Sequence, residues 1–114
     1  MRIEKYYNEN GELGVLYSPG WGAGWSTWHH RYEDDYEEHA IAFDKRIIEY
    51  WLKNHPTEKE MTKFLESIGY ENVYMGGYVD LSIAWIPRGT QFYIDEYDGF
   101  ESIKTPDNTG MITA

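Results

Sequence analysis

The chain has 114 residues, no cysteine, and twenty acidic against ten basic side chains, for a formal net charge of −10. That length makes one domain with its own hydrophobic core, and without cysteine there is neither a disulfide framework nor a thiolate zinc site. The charge repels a nucleic-acid backbone and disfavours direct DNA or RNA binding, and no apolar run reaches membrane-spanning length, so a soluble intracellular protein is expected.

Aromatic residues are 18% of the chain, with eleven tyrosines and five tryptophans. That is more than a core of this size uses, because Tyr and Trp need partners for their polar ends. Some of them are expected to line a pocket or a subunit interface.

In chain order, residues 2–7 read as a strand, Asn8-Glu9-Asn10-Gly11 as an Asn-Gly turn, and Glu12 to Tyr17 as the returning strand of a hairpin. Ser18-Pro19-Gly20 stops the strand and opens the stretch SPGWGAGWSTW (18–28). Gly20, Gly22 and Gly24 alternate there with other residues, Trp21, Trp25 and Trp28 offer indoles, and Ser26 and Thr27 offer hydroxyls. Glycine lets backbone approach a ligand closely, successive N–H groups can form an anion nest, and indole faces can stack a base. The spacing is not the dinucleotide fingerprint, and no Walker lysine follows. The plainer alternative is a glycine-rich turn whose tryptophans fold into the core.

From about Glu33 to Lys53 the pattern turns helical, with Tyr36, Ala40, Phe43, Ile47 and Tyr50 on one stripe and Ile41, Ile48, Trp51 and Leu52 widening it. One central helix is predicted, with Glu33, Asp34, Asp35, Glu37 and Glu38 at the positive end of its dipole. Asn54-His55-Pro56 ends it. Thr57 to Glu60 forms a capping box, Met61, Phe64, Leu65 and Ile68 face inward from a second helix, and Gly69 sits at its C′ position. The rest reads as sheet: Asn72 to Met75, a Gly76-Gly77 turn, an alternating run Val79 to Trp85, a turn at Pro87–Thr90, a strand through Phe92 and Ile94, an Asp98-Gly99 hairpin turn, and Phe100 to Lys104. The order predicts an α+β fold, a mainly antiparallel β-sheet with two α-helices packed on one face. Residues 1–104 are expected to form a single domain and residues 105–114 a polar, flexible tail.

Three groups carry candidate chemistry. The glycine-tryptophan loop is the first. His29, His30, Asp34, Asp35, Glu38 and His39 are metal-ligating types, with Asp35 and His39 at i,i+4. An acidic helix start accounts for that cluster without a metal, and no cofactor is expected. Trp85, Arg88, Thr90, Tyr93 and Glu96 surround the Pro87–Thr90 turn, where Arg88 can grip a phosphate and Tyr93 can stack a base. Lys45 and Arg46 can add positive charge from the central helix. No nucleophile–base pair stands out, so nothing argues for catalysis.

The segments SPGWGAGWSTW (18–28), AFDKRIIE (42–49) and WIPRGTQFYIDEYDG (85–99) resemble a family of small tailed-phage proteins, over about residues 12–103. The resemblance implies an accessory protein acting in the cytoplasm of an infected bacterial host, where such proteins commonly counter defences. The favoured expectation is a homo-oligomeric sponge that sequesters a nucleotide immune signal, of the cyclic dinucleotide or cyclic ADP-ribose type, without catalysis. Its ligand would meet the glycine-tryptophan loop, Lys45, Arg46, Trp85, Arg88, Thr90 and Tyr93. One alternative is an acidic nucleic-acid mimic that blocks a defence nuclease through Asp34, Asp35, Glu37 and Glu38. Others are an enzyme that cleaves the signal and an interaction module with no small ligand.

Overall fold

The computed structural model describes residues 3–20, 24–29 and 34–105. Strand β1 (Glu12–Tyr17) is buried on both faces. Alternate side chains of a strand point to opposite faces, so β1 divides the core in two. Leu13 and Val15 meet Ala42 and Ile86 on one side, while Leu16 joins Trp25, Ile41, Ile47, Met61 and Tyr70 on the other.

β1 pairs antiparallel with β2 (Ser82–Pro87), from Tyr17 opposite Ser82 to Glu12 opposite Pro87. A second antiparallel pair, β3 (Tyr93–Tyr97) with β4 (Phe100–Lys104), turns at Asp98 and Gly99, whose φ values are +50° and +84°. Those are the left-handed angles that an Asp-Gly turn accepts. Ile94 and Ile103 of this hairpin pack against the Leu13–Val15–Ala42–Ile86 cluster. The fold is α+β, and the strands among the described residues form two separate two-stranded sheets.

The long helix expected over 33–53 is divided into α1 (Ala40–Phe43) and α2 (Lys45–Asn54). Asp44, 1% exposed, stands between them. Its carboxylate accepts from the Arg46 backbone N–H at 2.9 Å, from the Arg46 guanidinium at 3.1 and 2.6 Å, and from the Tyr70 hydroxyl at 2.9 Å. Aspartate competes for backbone N–H groups and so starts helices better than it continues them. The bond to Asp44 holds the Arg46 guanidinium above its usual range, and burial, then Asp44, pushes the Tyr70 phenol up. Residues 34–39 form no helix. The acidic run therefore does not sit on a helix dipole, contrary to expectation, and Glu33 lies outside the described residues.

Helix α3 (Glu58–Ser67) opens with the predicted capping box: the Glu60 N–H donates to Thr57 Oγ1 at 3.2 Å and the Thr57 N–H to Glu60 Oε1 at 2.9 Å. Gly69 follows it at φ +99°. The Phe64 ring stacks on Tyr50 at 4.1 Å and ties α3 to α2.

Three expected strands change. Residues 3–7 make only isolated bridges, Lys5 to Asp44 and Tyr7 to Leu13. The segment divides its hydrogen bonds, since Tyr6 O accepts from Gly14 while Glu4 O accepts from Lys45 at the Asp44 corner. Asn72 to Met75 is not a strand, and Tyr78–Asp80 is a 3-10 turn. There Tyr78 is the buried residue, its hydroxyl donating to Pro56 O, and Val79 is 86% exposed. The alternation starts instead at Ser82. Residues 1–2 and the tail from 106 lie outside the described residues.

Burial pushes the Tyr78 phenol up to about 12. The unfolded chain releases that proton near pH 10, so this contribution to stability is whole below about pH 10 and lost by about pH 12. Urea unfolding is expected to lose roughly 2–3 kcal/mol over that interval from this group. Tyr78→Phe is expected to flatten the slope, and an unchanged pH profile would refute the assignment.

Candidate functional site

Glu101 shares a face of β4 with Ile103, two residues on, so it faces the core, and its side chain is fully buried. A carboxylate taken from water needs hydrogen-bond donors. One loop supplies four of them. Ser18 N–H donates to Oε1 at 2.9 Å, and Oε2 accepts from Trp25 N–H at 2.8 Å, Thr27 N–H at 3.1 Å and the Thr27 hydroxyl. The glycine-tryptophan loop thus gathers backbone donors around an anion, as its composition suggests. The anion is the chain's own.

Gly77 closes the back of this nest. A Cβ there would run into the Gly24 backbone and the Ser18 hydroxyl, which itself donates to Gly77 O at 2.9 Å. Gly24 lies against the Trp28 ring and Gly20 against the Asp80 side chain.

The tryptophans divide between roles. Trp25 is fully buried, its Nε1–H donates to Ile41 O at 3.1 Å, and its ring lies 6.2 Å from that of Tyr78. It is a core residue and no stacking face for a ligand. Ser26 is also buried, with its hydroxyl 3.0 Å from His39 Nδ1. The structure therefore commits Trp25, Ser26 and Thr27 to internal partners rather than to a phosphate. Trp21 and Gly22 lie outside the described residues.

Trp28 has the other fate. It is half-buried, and its ring sits 5.0 Å from that of Tyr74, tilted by 45°. These two rings are in contact with each other and, with Thr27, His29, Asn72, Val73, Met75 and Gly76, line an open cleft of about 740 Å³. That volume lies within the range of small-molecule sites. His29 Nε2 is 2.6 Å from Asp34 Oδ2, and its ring meets Tyr70 edge-on at 6.0 Å.

The cations expected to join the loop are elsewhere. Lys45 pairs with Glu4 at 3.8 Å, and the Arg46 guanidinium is held by Asp44 and by the Tyr36 hydroxyl at 3.0 Å. Arg88 lies over the Tyr7 ring at 4.3 Å, and its N–H donates to Gly11 O. That places Arg88 at the Glu12 end of the β1–β2 ladder, whereas the loop leaves β1 at Tyr17, about 17–20 Å away along a six-residue strand. None of the three lines the Trp28 cleft. Thr90 and Tyr93 line a separate depression of about 520 Å³ with Gln91 and Phe92, and Trp85 packs near Tyr6 at 5.9 Å. Glu96 accepts the Gly99 N–H at 2.6 Å.

Of the candidate metal ligands, His29 meets Asp34 at 2.6 Å and His39 lies 3.9 Å from Glu38, as separate pairs. With no helix over 34–39, Asp35 and His39 do not share a helical face, and His30 lies outside the described residues. Among the described residues no three His, Asp or Glu side chains converge as a metal-holding group.

Sequence reasoning missed Glu101 and the Asn72–Gly76 wall. A glutamate between Phe100 and Ser102, in register with inward-facing Ile103, was the available signal for Glu101. The wall carried none, because its residues read as a strand. Comparison with protein-family models, curated proteins and solved structures finds no match to this chain.

Replacing Glu101 by glutamine turns an NH₂ toward backbone donors. Glu101→Gln is expected to lower stability by about 2–3 kcal/mol and Thr27→Val by about 1 kcal/mol in urea unfolding. A Glu101→Gln protein as stable as the parent would show that the carboxylate does not hold the loop.

Proposed function

We propose that this is a small non-catalytic binding protein that sequesters a nucleotide-derived signal, with the base of the ligand held in the Trp28–Tyr74 cleft. The observation that carries the reading is that pair of partly exposed, mutually contacting rings lining one open cleft, against whose free face a base can lie. Stacking on an aromatic side chain contributes about 1–3 kcal/mol per base.

Among the described residues no lysine or arginine lines the cleft. The base is therefore the recognised part, and the phosphates face solvent or a cation of a second copy, in line with a homo-oligomer. The setting, an infected bacterial cytoplasm in which nucleotide immune signals are withdrawn, rests on the resemblance of three segments to tailed-phage proteins.

One observation favours the acidic-mimic alternative. Asp35, Glu37 and Glu38 are exposed and lie outside any helix, so a helix dipole does not account for them. That reading expects salt-sensitive binding to a basic protein, abolished by reversing the three charges.

The test is calorimetry and thermal shift with cyclic dinucleotides, cyclic ADP-ribose isomers and ordinary nucleotides. Ligand at about a hundred times Kd is expected to add about 2.7 kcal/mol of stability and to be recovered unchanged. Trp28→Ala is expected to weaken binding by about tenfold or more, and Trp28→Phe much less. No shift with any nucleotide would sink the proposal.

A further inference from the structure

We propose that His29 is the hydrogen-bond acceptor that selects the cleft's ligand, its bare Nδ1 taking an N–H of a base that carries an exocyclic amino group; this rests on the cleft being the binding site. The His29 side chain is 7% exposed and that of Asp34 1%. An ionised carboxylate only accepts hydrogen bonds, so at 2.6 Å the hydrogen lies on Nε2. In the neutral imidazole this leaves Nδ1 as a lone pair. Asp34 cannot turn away easily, because its other oxygen accepts the Tyr36 N–H at 3.0 Å.

Nδ1 is buried and has no hydrogen-bond partner among the described residues. A buried acceptor left unpaired costs about 1–3 kcal/mol, and folded proteins contain few. This one belongs to an imidazole that walls the aromatic cleft. Both lining segments, Thr27–His29 and Asn72–Gly76, lie outside the helices and strands, so they can part for a donor more readily than packed elements would. A base laid against the free face of the Trp28–Tyr74 pair lies in the same cleft that His29 lines. Donor-bearing edges such as the adenine amino group satisfy the nitrogen; an edge with acceptors alone leaves two lone pairs facing each other.

Two probes isolate the interaction: adenosine 5′-monophosphate, and purine riboside 5′-monophosphate, which lacks only the amino group. The parent protein is expected to prefer the first by about five- to tenfold in calorimetry. His29→Phe keeps a ring without an acceptor and is expected to bind both alike. Asp34→Asn keeps an oxygen for the Tyr36 N–H but offers Nε2 a donor, which moves the imidazole hydrogen to Nδ1; the preference is then expected to vanish or invert. If His29→Phe does not fold, Asp34→Asn carries the comparison. In the parent, ¹⁵N NMR of His29 is expected to show a bare Nδ1 that shifts toward the hydrogen-bonded range on adding adenosine 5′-monophosphate.

Equal affinity of the parent for the two probes, or a preference surviving in His29→Phe, overturns the proposal while leaving the cleft as a binding site. A hydrogen on Nδ1 in the parent overturns it before any ligand is added. If neither probe nor any other nucleotide binds, the cleft reading fails and this one with it.

Discussion

A carboxylate removed from water has to be met by donors, and Glu101 draws four from a single loop. This requirement joins parts of the chain that share no sheet. Ser18, at the end of β1, is bound twice by the same residue, since its N–H donates to the Glu101 side chain and its C=O accepts the Glu101 N–H at 2.8 Å. The β3–β4 hairpin is thereby fixed to β1 at one corner, while Ile94 and Ile103 hold it through apolar packing. With Trp25 N–H and both Thr27 donors engaged, the backbone at residues 25–27 is set. Trp25 then turns into the core, and Trp28 is left at the surface facing Tyr74. The Trp28–Tyr74 cleft is a consequence of how the anion is satisfied.

Asp44 solves the same problem with different donors. Glu101 relies mainly on backbone N–H groups, whereas Asp44 draws on the Arg46 side chain and the Tyr70 hydroxyl besides one backbone N–H. Removing one partner from such a site costs more than the site contributes, because the buried charge stays behind. The Asp44 set also spends the Arg46 guanidinium, which stacks over Tyr36 at 5.4 Å. A cation that sequence alone offers to a ligand is thus consumed in holding a helix start.

What was legible in the sequence follows from range. The α3 capping box, the Asp98-Gly99 turn and the Gly69 stop depend on residues within a few positions of one another, and each appears as expected. The glycine-tryptophan loop was legible as chemistry, a set of donors for an anion, because that too is local. Its partner was not, since Glu101 lies 83 residues from Ser18 and 76 from Trp25. The break at Asp44 was missed for a related reason: its apolar neighbours keep helical spacing, and the choice of N-cap over helix interior is made by Tyr70, 26 residues on. Val79 deceived because alternation measures pattern and not burial. Tyr78 claimed the inward position through Pro56, and the exposed Val79 followed.

Charge sets the final constraint on the cleft. A chain of net charge −10, with no lysine or arginine among the described residues of its aromatic cleft, gains little from phosphates there. On the proposed reading two groups of the cleft discriminate among ligands, the aromatic pair and one imidazole hydrogen-bonded to Asp34. Stacking is tolerant, because every base offers a π-face. A single lone pair is strict, because the wrong edge leaves it unmet and adds a second unmet acceptor. Under that proposal recognition would read the base and largely ignore the phosphate, so nucleotide affinity is expected to depend weakly on salt, unlike in a site that grips the phosphate with arginine.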